Sequence, residues 1–146
     1  MNRLPLIIPF LFLFSFPLKV EAQQYSFKNY GISEGLGQSQ VQTIVQDSLG
    51  YLWIGTLGGG VSKFDGSTFQ NYTRKDGLIS NFVLSLEITQ QGTILAGTSK
   101  GLSEIFTDTI VNNFTKSGLD SLVIEDINYP YFSTSNGIYS VKNNKY

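Results

Sequence analysis

The sequence has no histidine and no cysteine, so any chemistry it performs must rest on carboxylates, hydroxyls, amides and aromatic rings. Glu34, Asp76 and Asp120 fall in comparable loops, and two acids facing one cleft roughly 5–10 Å apart would be the equipment of a glycoside hydrolase. Turn formation accounts for acids at such places more simply, because these side chains bond nearby backbone. Glu125 and Asp126 are adjacent on an expected strand, so they point to opposite faces and do not make a calcium site as a pair. Gly58-Gly59-Gly60 lacks the Lys-Ser/Thr that follows a phosphate-binding loop, and no helix is expected after it. Without His there is no ordinary catalytic triad or imidazole metal cluster. Without Cys there is no thiolate nucleophile, disulfide framework or thiolate-held zinc. Tyr51, Tyr72, Tyr129, Tyr131 and Tyr139 have faces that can stack on sugar rings, yet in a chain that is 14% aromatic most of them are expected to pack between sheets. No catalytic or metal-ligating residue is therefore assigned, no cofactor is expected, and the ligand-binding residues stay unassigned.

The elements that would position such groups begin after an export signal. Arg3 supplies a positive start and Leu4 to Leu18 is an uncharged run rich in Leu, Ile and Phe. That run is shorter than the roughly 20 residues a membrane-spanning helix needs. Val20-Glu21-Ala22 offers a cleavage site, so cleavage is expected after Ala22, with an uncleaved anchor as the competing reading. A formal net charge of −1 leaves no electrostatic footprint for nucleic acid. An exported chain without disulfides suits a Gram-negative periplasm.

Comparing the sequence with itself is the most informative step. Lys28-Asn29-Tyr30 precedes Glu34-Gly35-Leu36, Gln70-Asn71-Tyr72 precedes Asp76-Gly77-Leu78, and Asn112-Asn113-Phe114 precedes Ser117-Gly118-Leu119, with the central Asn spaced by 42 residues each time. Leu52-Trp53-Ile54-Gly55-Thr56 returns as Ile94-Leu95-Ala96-Gly97-Thr98 after 42 residues, and as Pro130-Tyr131-Phe132-Ser133-Thr134 after 36. The third repeat is thus six residues short, one lost before Gly118 and five expected between Gly118 and Glu125. Val41 to Gln46, Tyr51 to Ile54, Val61 to Phe64 and Thr68 to Tyr72 read as strands separated by Gly, Asp and Ser turns. About four strands per 40–45 residues, repeated, is the pattern of propeller blades. Trp53, Leu95 and Tyr131 are expected between blades, Gly55 and Gly97 at close approaches or bulges, and Gly35, Gly77 and Gly118 at positive φ. The N-glycosylation pattern at Asn71-Tyr72-Thr73 and Asn113-Phe114-Thr115 is explained by the repeat, since Asn29 has no following hydroxyl.

Asp47-x-x-Gly50-x-x-Trp53-Ile54-Gly55-Thr56, Gly60, Phe64-Asp65-Gly66, Phe69-x-Asn71-Tyr72 and Asp76-Gly77-Leu78 together resemble the two-component regulator propeller repeat. The resemblance implies an all-β, incomplete propeller of about three four-stranded antiparallel blades, the third shortened. The expected organisation is a signal peptide over 1–22 and a partial propeller over 23–146, with repeats at about 25–66, 67–108 and 109–146. It further implies an extracytoplasmic ligand-sensing or interaction module, the N-terminal piece of a hybrid two-component sensor histidine kinase of the Bacteroidetes type, with an oligosaccharide as ligand. On that reading the chain is not itself an enzyme, and any kinase activity lies in a longer parent that also supplies a membrane tether. The alternative is a stand-alone secreted repeat protein acting in protein assembly, because three blades do not close a ring of about four to eight. The partners expected are further blades of the same parent or other copies of the chain. The Asp47 to Trp53 segment also resembles the Asp-box turn of sialidase-like propellers, but its Asp-to-Gly spacing is one residue too long and Thr89 replaces the acid in the second copy. A propeller-based glycosidase or lyase therefore ranks last.

Overall fold

A repeat of short strands must bury two faces per sheet, and the chain does so by stacking sheets side by side. The computed structural model describes residues 25–106, 109–111 and 122–140. The expected signal peptide, Gly118 and Asp120, and the Asn113 acceptor lie outside them. Blade one consists of β1 (Val41–Gln46), β2 (Leu52–Thr56), β3 (Gly60–Phe64) and β4 (Phe69–Tyr72), antiparallel in that order. Blade two repeats it with β5 (Val83–Ile88), β6 (Ile94–Thr98), β7 (Gly101–Phe106) and β8 (Thr109–Val111). The third sheet has β9 (Ile124–Asn128), β10 (Tyr131–Thr134) and β11 (Gly137–Ser140) among the described residues. The fold is an incomplete β-propeller.

Strand pairing shows how the repeat is built. Val41, Val83 and Ile124 lie opposite Thr56, Thr98 and Thr134, so they are equivalent first-strand positions. In all three blades the threonine hydroxyl closes the next hairpin, donating to Gly60 O (2.9 Å), Gly101 O (2.7 Å) and Gly137 O (3.0 Å). Ile124 sits 41 residues after Val83 and Thr134 sits 36 after Thr98, so the missing five residues fall between Ile124 and Thr134. That corrects the expected position before Glu125. The loss is in the β9–β10 hairpin, where Tyr129-Pro130 turns the chain in place of the longer Thr89–Thr93 turn.

Blades one and two are each covered on one side by the segment that precedes them. Tyr30 and Leu36 pack on Ile54, Phe64 and Phe69 of blade one. Leu78 packs with Val83, Leu86, Ile94, Ala96 and Ile105 of blade two, and Trp53, Val61 and Tyr72 enter the same cluster from blade one. Leu95 and Leu102 meet Ile124, Ile127 and Phe132 across the second seam. The two seams are the same device. A Cβ on Gly55 would lie 2.7 Å from Val83 Cγ1, and one on Gly97 would lie 2.8 Å from Ile124 Cγ2, so the glycines admit the first strand of the next blade. Gly35 (φ +109°) and Gly77 (φ +113°) hold the left-handed conformation that ends each covering turn.

One expected core residue is not buried. Trp53 is 5% exposed and Leu95 1%, but Tyr131 is 57% exposed. Trp53 faces blade two and Leu95 faces blade three, whereas Tyr131 points to a side of blade three with no neighbour among the described residues.

The seam is tight enough to test. Gly97→Ala brings Cβ against Ser85 Oγ and Ile124, and is expected to lower stability by roughly 1–3 kcal/mol in urea unfolding. Gly92→Ala is the control: it has nothing within 4 Å but a φ of +82°, and should cost only backbone strain of about 1–2 kcal/mol.

Candidate functional site

The acidic residues singled out by type take structural posts where the structure describes them. Glu34 Oε2 accepts from Gly31 N–H at 2.6 Å and from Ser33 Oγ at 3.2 Å, capping the 3₁₀ turn Ile32–Glu34. Asp76 Oδ2 accepts from Thr73 N–H (2.9 Å) and Thr73 Oγ1 (2.8 Å) in the equivalent turn Arg74–Asp76. The Gly31 amide holds Glu34 below its ordinary pKa, and the Thr73 amide does the same for Asp76. Both are solvent-facing, ionised caps and not a matched acid and base. Glu125 and Asp126 are both exposed on β9, and among the described residues no three acids gather as a metal cluster would require.

Gly58-Gly59-Gly60 is occupied by the fold. Gly58 and Gly60 amides both donate to Asn81 O at 3.0 Å, and the Gly59 amide donates to Thr56 Oγ1 at 3.2 Å. The hairpin tip of blade one is thereby tied to the segment that covers blade two. Asn71 is occupied as well: its Nδ2 donates to Gly35 O at 2.9 Å and its Oδ1 accepts from Ser62 Oγ at 2.5 Å. Ser62 Oγ in turn accepts from Gly37 N–H at 3.2 Å, and Ser103 Oγ accepts from Ile79 N–H at 3.0 Å in the next repeat.

A group that residue types alone did not reveal surrounds Trp53. Asp47 Oδ2 accepts from the indole Nε1–H at 2.8 Å, while Oδ1 accepts from the Leu49 and Tyr51 amides, each at 3.0 Å. The Lys63 ammonium stands 4.6 Å from the Tyr51 ring centre and 5.1 Å from that of Trp53. The Asp-to-Trp spacing of six residues was the available signal. Thr89 builds the same turn in blade two without an acid, its Oγ1 accepting from Thr93 N–H at 3.1 Å. Both are structural turns, and the likeness to an Asp box carries no catalytic group. Beside them Tyr51, Lys63, Asp65, Thr68 and Gln70 line an open depression of about 270 Å³. Asp65 accepts from the Thr68 and Ser67 amides, both at 2.7 Å, and from their hydroxyls, with the Thr68 amide leading in holding its carboxyl far below the usual range. It shapes the β3–β4 turn and cannot serve as a proton donor near neutral pH.

The two outer faces of the described stack expose apolar residues at seam positions. Val41 and Ile44 are 40% and 57% exposed, although their equivalents Val83 and Leu86 are 0% and 5%. On the far side Ile138 is 79% exposed where Val61 and Leu102 are fully buried. These positions are apolar because the repeat makes them so, and they present the chemistry of a seam to whatever lies beside them.

Residues 35–58 match the family model described as two component regulator propeller. A curated protein named histidine kinase P4, from Formosa agariphila, is 46% identical over 63 residues, covering 41% of this chain and 4% of its own length. The solved extracellular domain of a putative hybrid two component system from B. thetaiotaomicron is 21% identical, with a TM-score of 0.40, over 80% of this chain and 24% of that one. The chain therefore spans a small part of each relative. No helix among the described residues is long and apolar enough to cross a membrane.

Two outcomes test the caps and the indole clamp. A depressed native pKa means that Asp76 contributes stability in full above the ordinary carboxylate range and loses it as pH falls through the native value. Asp76→Asn should therefore lower the thermal midpoint near neutral pH, with the difference from wild type closing in acid. Asp47→Ala strips three donors of their acceptor and should cost about 1–3 kcal/mol, with a shifted emission from Trp53, the single tryptophan.

Proposed function

We propose that this chain, which carries the two component regulator propeller repeat, is an extracytoplasmic sensing and interaction module of a hybrid sensor histidine kinase, with an oligosaccharide as its ligand. The observation that carries this reading is where the matched residues fall. The stretch 35–58 holds Leu36 of the covering segment, the Asp47 turn, Trp53, and Gly55 at the seam. What the repeat preserves is the joint between blades, not a reactive group, and joints serve a protein that transmits a change of shape. The 63-residue stretch that is 46% identical to part of a histidine kinase supports the same reading. On it, the phosphoryl-transfer chemistry lies elsewhere in a longer parent, and a cleaved leader at Ala22 delivers the propeller to the periplasm.

The exposed Val41, Ile44, Tyr131 and Ile138 favour a second reading, in which the chain acts in protein assembly with further blades of a parent or with other copies of itself. The sensing reading is tested in the cell that carries the gene, by deleting codons 25–140 and profiling transcription on cello-, xylo-, arabino- and alginate oligosaccharides. Loss of induction by one of these sugars is expected. Unchanged induction by all four would remove the sensing role.

A further inference from the structure

The seam between blades one and two has a dry middle and a solvent-facing end. Trp53, Lys63 and Gln70 stand opposite one another across β2, β3 and β4, so they share the face that meets blade two. Two positions further along, Tyr51, Asp65 and Thr68 fall on the same face, just beyond the strand ends. Trp53 is buried, Tyr51 and Lys63 are half-buried, and Asp65, Thr68 and Gln70 are exposed. The depression of about 270 Å³ lined by Tyr51, Lys63, Asp65, Thr68 and Gln70 is this end of the seam.

Its walls are fixed before anything enters. The Tyr51 amide is anchored on Asp47 Oδ1 at 3.0 Å, and Asp65 holds the β3–β4 turn through the amides and hydroxyls of Ser67 and Thr68. The Lys63 ammonium is placed by the Tyr51 and Trp53 rings, at 4.6 and 5.1 Å from their centres. Preorganised polar groups lose little freedom on binding. The same end of the next seam is built differently, with Thr93, Glu104, Phe106 and Val111 at the places of Tyr51, Lys63, Asp65 and Gln70. The repeat dictates Gly55 and Gly97 in both blades, but it does not dictate this group.

We propose that the depression is a subsite for one unit of a neutral sugar, held by Lys63, Gln70, Thr68 and the rim of Tyr51. The lining is charge-balanced, with one ammonium and one carboxylate, so it selects against a ligand of strong charge. An ammonium offers donors only, an amide offers both donors and an acceptor, and the Thr68 oxygen keeps lone pairs while its proton goes to Asp65. Adjacent sugar hydroxyls, each able to donate and accept, match that mixture. Ligand clefts run from about 300 Å³ upward, so the space suits a single ring of a longer chain whose remainder lies in solvent. The ammonium sits over the Tyr51 ring, so the sugar meets that residue at its edge. Trp53 lies beneath the Lys63 ammonium and senses occupancy without touching the ligand.

This subsite rests on the sensing reading and gives it a place on blade one. The test is calorimetric titration of the purified chain with cellobiose, xylobiose, arabinobiose and a mannuronate dimer, with emission from Trp53, the single tryptophan, followed in parallel. One of the three neutral sugars is expected to bind, to shift the emission, and to keep its affinity when salt is added. Lys63→Met keeps the stem over the rings and Gln70→Ala alters an exposed position, so both should fold with thermal midpoints near wild type. Each removes a ligand hydrogen bond and should weaken binding roughly fivefold or more. A neutral sugar that binds both variants as tightly as wild type would place the ligand elsewhere, overturning the subsite and leaving sensing intact. Binding of the mannuronate dimer alone, or of none of the four, would also overturn it, and induction in the cell then judges the sensing role separately.

Discussion

The structure depends on one steric constraint, the absence of a side chain at the middle of the second strand of blades one and two. Gly55 and Gly97 let Val83 and Ile124 reach the neighbouring backbone, and everything apolar in the seams is arranged around that approach. Burial at the seams is nearly complete, with Val61, Val83, Leu102, Ile124 and Phe132 at 0% exposure. Apolar area removed from water contributes about 25 cal/mol per Å², so these contacts outweigh any single polar bond in the molecule. A sheet of three or four short strands has little stability alone, and the seam is what turns a series of them into a fold.

Polar groups fix the angle at which blades meet. The Asn81 carbonyl receives two amides from the Gly58–Gly60 turn, and serine hydroxyls at 62 and 103 receive amides from the covering segments. These bonds are individually modest, around 1 kcal/mol net. Their value is directional, because apolar contact alone would let one sheet slide over another. Trp53 shows the combination: its ring stacks on Tyr72 at 5.7 Å while Asp47 holds its N–H.

How much of this could be read from residues alone follows from what repeats. Gly55, Gly97, Trp53, Leu95 and the Gly35 and Gly77 turns were legible because each seam demands the same residue types at the same interval. Tyr131 was not, because sequence identity with the Trp53 position says nothing about whether a neighbour is there to cover it. The site of the deletion was misplaced for a different reason: a hairpin can shorten without disturbing the threonine and glycine that frame it, so the anchors stayed aligned around the gap. Glu34 and Asp76 looked like candidate acids because spacing places them in equivalent loops, and only the short bonds to Gly31 and Thr73 identify them as caps. The depression beside Tyr51 and Lys63 had no signature in the period, because Thr93 and Glu104 stand at the equivalent positions of the next repeat.

The covering segments have a consequence for how such proteins grow. Leu78 and Ile79 seal blade two, yet they precede its first strand in the chain, and Leu36 and Gly37 do the same for blade one. The unit that can be duplicated or exchanged intact therefore starts at the 3₁₀ turn, not at the edge of a sheet. A genetic break placed between two sheets would hand one of them a lid and leave the other bare, whereas a break just before the turn moves lid and sheet together. Chain order and spatial order are offset by one segment, and recombination that respects the offset can lengthen the array without opening its interior.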